Sequence, residues 1–168
     1  MKSLIVGGDS TLGKVLARML PDAIITTRGE VRSLIPNPAV AYDMVKDSPA
    51  KLPDADVVYL VAAITKFREC ELNFDSYTVN VDAPIAIAAE FRKRGAHIVY
   101  ISSEAATWPG PTAYGMQKRT CEQGMLAVCG HGGVSIIRPG QFKERTDEFA
   151  KMVIEIGSNK KTGVHLWK

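Results

Sequence analysis

The sequence is poor in unbalanced charge. Lys and Arg number 21 against 18 Asp and Glu, a formal +3 over 168 residues, and no block of one sign stands out. With no basic stripe and no alternation of aromatic and basic residues, a nucleic-acid partner is not expected. No apolar run reaches the length of a bilayer span, so no membrane segment is expected either. No charged leader, apolar stretch and cleavage site precede the first apolar run, which begins at Leu4, so no signal peptide is expected. Cysteine is scarce: Cys70, Cys121 and Cys129 are odd in number and show no CxxC spacing. That argues against a disulfide framework and for buried thiols in a reducing cytoplasm. His97, His131 and His165 are isolated from one another, so no metal site is expected. Internal repeats and low-complexity segments are lacking too.

A hydrophobic content of 46% is enough for a real core, and the length suits one domain over residues 1–168. Apolar runs of strand length occur at 4–6, 23–27, 39–42, 57–62, 97–101, 134–137 and 164–167. They are nearly continuous rather than alternating, as strands buried on both faces are. Helical stretches lie between them. Residues 11–20 end at Pro21, 81–94 at Gly95, 112–129 at Gly130, and 146–156 at Gly157. This alternation predicts an α/β fold: a doubly wound parallel sheet of the Rossmann type in three layers, α/β/α.

The first strand runs into Val6-Gly7-Gly8-Asp9-Ser10-Thr11-Leu12-Gly13, which opens the first helix. Such a turn lets backbone N–H groups approach a pyrophosphate, and the helix N-terminus adds partial positive charge. Gly7, Ser10, Thr11, Leu12 and Gly13 are therefore candidate cofactor-binding residues. Ser10 stands where the glycine-rich pattern has its middle glycine. It either hydrogen-bonds a phosphate or crowds it, and Asp9 counts mildly against an anion. The second strand ends in Thr26-Thr27-Arg28-Gly29, with no acid to hold a ribose 2′-hydroxyl. A guanidinium there suits a 2′-phosphate. The expected cofactor is NADP in preference to NAD, clamped by Arg28 with Arg32 as a possible second cation.

The fifth strand ends in Ser102-Ser103. Eleven residues after Ser103 comes Tyr114-Gly115-Met116-Gln117-Lys118 at the start of a helix. A tyrosine and a lysine four apart share a helical face. A neighbouring ammonium favours phenolate, which brings a tyrosine toward acid–base work at neutral pH. A serine hydroxyl at the strand's end can hold a carbonyl.

With these motifs the chain resembles the short-chain dehydrogenase/reductase superfamily, in its extended, sugar-nucleotide branch of dTDP-4-dehydrorhamnose reductases, epimerases and dehydratases. The resemblance spans nearly the whole chain. It includes the strand ending in Ala62-Ala63, the Val79-Asn80-Val81 helix start and Ile137-Arg138-Pro139-Gly140. It implies Tyr114 as general acid/base, Lys118 lowering its pKa and binding the nicotinamide ribose, and Ser103 orienting a substrate carbonyl. Asn80 is implied as support for the site or as a helix cap. Ala62 and Ala63 are implied to line the path from adenosine to ribose. It further implies a homodimer through the helices at 81–94 and 112–129. Extended members carry a longer C-terminal region, so 141–168 is expected to be a vestigial substrate side. Three functions follow: a compact NADP-dependent oxidoreductase acting on a carbonyl or alcohol, a non-catalytic dinucleotide-binding protein, or an epimerase or dehydratase.

Overall fold

The computed structural model describes residues 1–29 and 35–168. Seven strands are arranged β3-β2-β1-β4-β5-β6-β7, every neighbouring pair parallel. They are β1 (Ser3–Val6), β2 (Ile24–Thr27), β3 (Ala39–Ala41), β4 (Val57–Leu60), β5 (His97–Ile101), β6 (Val134–Pro139) and β7 (Gly163–Trp167). The helices are α1 (Thr11–Met19), α2 (Phe67–Leu72), α3 (Asp75–Tyr77), α4 (Ala83–Lys93), α5 (Ala113–Cys129) and α6 (Thr146–Ser158).

The helices form two layers over two cores. On one face Leu4, Val58, Ile98, Tyr100 and Ile136 meet Ile87, Phe91 and Met125 of α4 and α5. On the other, Ile5, Tyr59, Val99 and Ile137 meet Leu16 of α1 and Phe149 and Val153 of α6. The alternation along each strand is therefore apolar on both faces, which is why the sequence shows continuous apolar runs. β7 departs from that rule. It is an edge strand, and Val164 and Leu166 are exposed on the face that no helix covers. Trp167 points the other way, onto Phe149 at 5.4 Å between ring centroids.

Two local features differ from the sequence reading. The helix expected to begin at residue 81 is preceded by α3 and by a π-helical turn, Thr78–Asp82, so the helical path starts earlier. Gly157 does not stop α6 but lies inside it, because a Cβ there would stand 2.5 Å from the Tyr59 hydroxyl of β4. Residues 141–168 supply α6 and β7, where a helix and a strand were expected. Phe149, Ala150, Val153 and Ile156 of that stretch are buried in the core.

The strand order reverses between β1 and β4. In an open parallel sheet the C-terminal ends on either side of that reversal diverge and leave a crevice, the usual place for a ligand.

Candidate active site

The crevice holds a cavity of about 260 Å³. Its floor is the glycine turn, with Gly7, Asp9 and Ser10. One wall is the end of β2 at Thr26, Thr27 and Arg28, and the other is the strand-to-helix loop after β4 at Ala62, Ala63 and Ile64. Of the cofactor residues expected from sequence, Gly7, Ser10, Arg28, Ala62 and Ala63 line this one cavity. Arg32 lies outside the described residues. Tyr42, Asp43, Met44 and Val45, just past β3, also line it and were not foreseen. Their signal was available, since the C-terminal end of every strand near the crossover point is a candidate wall.

Close packing explains the glycines. Gly7 has φ +101°, and a Cβ on it would meet the backbone N and Cα of Ala62 at 2.7 and 2.8 Å. A Cβ on Gly8 would stand 2.6 Å from Ile25 Cβ. The Gly7 N–H donates to Thr26 Oγ1 at 3.0 Å, which ties the turn to β2. Ser10 is the N-cap of α1: its Oγ accepts from Gly13 N at 3.0 Å and donates to Gly7 O at 2.8 Å. Both roles keep that hydroxyl inside the turn. Leu12 is buried, so its side chain belongs to the core and only its backbone is left to face a ligand. The N–H groups of Thr11 and Leu12 make no hydrogen bond among the described residues, as expected in a first helical turn. They are the donors an anion would meet.

The Ser103, Tyr114 and Lys118 set assembles at the end of β5. Thr112 caps α5 by accepting from Gly115 N at 3.0 Å. Gly115 lets the helix start press against the 3-10 turn Glu104–Thr107, since a Cβ there would lie 2.5 Å from Ala105 O. That contact seats the buried Tyr114 beside Ser103, whose Oγ accepts from Ala105 N at 3.2 Å. Ser102 faces the other way and donates to Glu122, which also receives both arms of Arg138 at 3.0 and 2.7 Å. Arg138 is thus committed to a buried carboxylate.

The electrostatics differ from the sequence expectation. Burial pushes the Tyr114 phenol above its ordinary value, and the neighbouring Ser103 hydroxyl opposes that rise. Lys118 is 3% exposed, and desolvation lowers its pKa from 10.5 to about 8. Its Nζ donates to Ile101 O at 2.9 Å and stands 5.7 Å from the centroid of the Tyr114 ring. The ammonium is thus held by the end of β5, and burial rather than Lys118 sets the direction of the Tyr114 shift.

Asn80 is buried and acts as a clamp. Its Oδ1 accepts from Ile64 N at 2.8 Å, and its Nδ2 donates to Ile64 O at 2.9 Å and to Gln117 Oε1 at 2.7 Å. Gln117 in turn donates to Ser76 Oγ at 3.0 Å. The side chain, presented by the π-turn, is engaged in tying the loop after β4 to α5. Gln117 was not foreseen. Nor was the setting of Cys70 and Phe67, which flank Tyr114 from α2.

Among the described residues no group of His, Cys, Asp or Glu could hold a metal, and no helix is long and apolar enough to cross a membrane. All three cysteines are free and buried.

The family described as the RmlD substrate binding domain matches residues 1–120. No curated protein matches the chain. Solved structures do. MoeE5 in complex with UDP-glucose and NAD has a TM-score of 0.83 at 16% identity, with 99% of this chain and 75% of that one covered. A hypothetical dTDP-4-dehydrorhamnose reductase from Sulfolobus tokodaii has a TM-score of 0.79 at 21% identity, covering 99% and 76%. The UDP-N-acetylglucosamine 4-epimerase from Bacillus cereus has a TM-score of 0.73 at 18% identity, covering 99% and 77%. At these identities the likeness is one of fold.

Proposed function

Because the chain belongs to the RmlD substrate binding domain family, we propose that it is an NADP-dependent oxidoreductase that interconverts a carbonyl and an alcohol on a nucleotide sugar. What supports this reading is Tyr114 beside Ser103 at the end of β5, with Lys118 Nζ 5.7 Å from the centroid of the Tyr114 ring, at the sheet end that also carries the cavity.

The residues present fit a dinucleotide. The amides of Thr11 and Leu12 would receive the pyrophosphate at the positive end of α1. Gly7, Ala62 and Ala63 leave backbone rather than side chains against it. Arg28 stands at the end of β2, where a ribose 2′-phosphate would find a bidentate partner. At about 260 Å³ the cavity has room for part of a dinucleotide, in keeping with an extended ligand that runs on toward Tyr114. When bound, the cofactor supplies the hydride donor or acceptor at its nicotinamide C4.

The chain's own residues do the rest. Ser103 Oγ holds the substrate carbonyl oxygen. Tyr114 gives its phenolic proton to that oxygen on reduction and takes it back on oxidation. Lys118, released from Ile101 O, donates to a ribose hydroxyl and lends its charge to the phenolate that forms. A homodimer through α4 and α5 fits the exposed Ala86 on one helix and the exposed Met116, Gln123 and Ala127 on the other. We assign residues 1–168 to one cofactor-binding domain, and the buried thiols suit a cytoplasmic protein.

The experiment is a titration with NADPH and NADH, followed by turnover of dTDP- and UDP-linked 4-ketosugars by the wild type and Tyr114→Phe. Tighter NADPH binding, and a rate lowered roughly 10²–10⁴-fold in the variant with cofactor affinity kept, supports the reading. Full activity in Tyr114→Phe, or no cofactor binding by the wild type, refutes it. Light scattering reads the oligomer.

A further inference from the structure

An aromatic row leads outward from Tyr114. The ring of Phe67, the first residue of α2, lies 5.6 Å from the Tyr114 ring at an interplanar angle of 32°. Trp108 stands beside Phe67 with its ring at right angles, 6.1 Å between centroids and 89° between planes. Tyr114 is only 9% exposed, whereas Phe67 is 43% and Trp108 37% exposed. Two large rings thus remain in water beside the buried Tyr114 phenol. Leaving apolar rings in water at the edge of a reaction centre loses the free energy that burying them would return.

Their supports are well built. Trp108 caps the 3-10 turn Glu104–Thr107, and Arg119 of α5 donates to the carbonyls of Ala106 at 2.7 Å and of Trp108 at 3.2 Å. α2 is braced behind Phe67, where Cys70 is buried and its carbonyl accepts from Ser76 Oγ at 3.0 Å. The segments that carry the rings are therefore held by Arg119 on one side and by the Asn80–Gln117–Ser76 network on the other.

From this geometry we infer that Phe67 and Trp108 form an angled aromatic platform against which the substrate's sugar ring lies, its C–H face on one ring, its edge against the other, and its carbonyl toward Tyr114 and Ser103. The inference rests on the nucleotide-sugar reading above and adds the residues that select a ring. A pyranose carries hydroxyls around its rim and C–H bonds on its faces. Aromatic side chains pay little rotamer entropy and offer broad apolar surface to such a face. Phe67 and Trp108 are specificity residues, and the chemistry stays with Ser103, Tyr114 and Lys118.

The chain has two tryptophans, so Trp167→Phe leaves Trp108 as the one indole. In that background, with saturating NADP⁺, the fluorescence is titrated with dTDP-glucose and UDP-glucose and, as probes lacking the pyranose, with dTDP and UDP. The expected result is a Trp108 signal change with a nucleotide sugar that the free diphosphates do not give. Phe67→Ala should weaken binding of that sugar about 2- to 10-fold and leave the diphosphates unchanged, the range expected for losing one aromatic contact. Circular dichroism checks that the variant is folded, and Phe67→Leu, which keeps bulk but not the ring, should fall with Phe67→Ala. The proposal is overturned if neither sugar changes the Trp108 signal, or if Phe67→Ala binds the sugar as the parent does. It is also overturned if Phe67→Ala and Trp108→Ala turn a dimer into a monomer at unchanged sugar affinity, which would make the rings a subunit contact. Calorimetry with NADP⁺ on the same samples separates the two claims: lost cofactor binding strikes the oxidoreductase reading, whereas an unmoved sugar affinity strikes the platform alone.

Discussion

Replacing Lys118 with methionine should make the ligand-free protein more stable at neutral pH, and the gain should shrink as pH rises. Lys118 is buried, and its pKa falls from 10.5 to about 8 because desolvation disfavours the ammonium. Its pKa in the unfolded chain is the ordinary one. At pH 7 the lysine is charged in both states, and the folded state bears the full cost of burying it. A fall from 10.5 to about 8, at about 1.4 kcal/mol per pH unit, is about 3 kcal/mol of lost stability. Between pH 8 and 10.5 the unfolded chain binds more protons than the native one, so wild-type stability rises with pH across that window. Methionine keeps the length, removes the charge and loses the hydrogen bond to Ile101 O, worth about 1 kcal/mol. The expected net gain at pH 7 is about 2 kcal/mol. By pH 9.5 the titrating part of the gap should have shrunk by about 2 kcal/mol. Buried Tyr100, Tyr114 and Cys121 titrate in the opposite sense, because burial raises all three. The difference between wild type and Lys118→Met largely cancels them. Urea unfolding of both proteins at pH 7, 8, 9 and 9.5 measures the gap. A gap that does not change over that range, or a variant less stable than wild type at pH 7, would refute the reasoning. Catalysis should be lost in the same variant, so a stabilising substitution that abolishes activity would mark Lys118 as kept for function against a stability cost.

Arg28→Ala should raise the Kd for NADPH about 10- to 100-fold and leave NADH within about twofold, because only the former carries the 2′-phosphate; equal losses for both would remove Arg28 from discrimination. Gly7→Ala should cost about 2–4 kcal/mol, since its φ of +101° is strained for alanine and the new Cβ would press on Ala62 at 2.7 Å. Gly132→Ala, whose Cβ meets nothing within 4 Å, is the control and should move the melting temperature little. His97 is buried against Ser135 Oγ at 2.7 Å, and burial lowers its pKa from 6.5 to about 4. The stability it contributes is present above pH 6.5 and lost as pH falls toward 4. Wild type should therefore lose about 2 kcal/mol more than His97→Gln between pH 7 and 4.5, and parallel urea curves would sink that assignment.

The sheet was legible because its central strands are buried on both faces. A run such as Val57-Val58-Tyr59-Leu60 has no polar alternation to confuse with a surface strand, and all seven strands are where the apolar runs place them. What sequence spacing cannot express is contact between distant residues that happen to share no local pattern. α2 is six residues of mixed character, Phe67-Arg68-Glu69-Cys70-Glu71-Leu72, too short to show a period. Its place is set by Cys70 and by Phe67 against Tyr114, nearly fifty positions on. Gly157 reads as a helix stop until Tyr59 of β4 is known to press on it. Ser103 and Ser102 are equivalent in composition, and strand alternation says only that they face apart. It is Glu122, bonded to Ser102 from 20 residues away, that takes one hydroxyl out of the site and leaves the other beside Tyr114. Lys118 shows the same limit in its charge. The spacing of Tyr114 and Lys118 puts both on one helical face, but whether the ammonium serves the phenol depends on what else competes for it. In the ligand-free chain the competitor is Ile101 O. A ribose hydroxyl that offers Lys118 a better partner would draw the ammonium toward Tyr114, so cofactor binding and phenol activation become one event. The pKa of Tyr114, followed by its ultraviolet absorbance, should then fall when NADP⁺ is added to wild type and stay put in Lys118→Met.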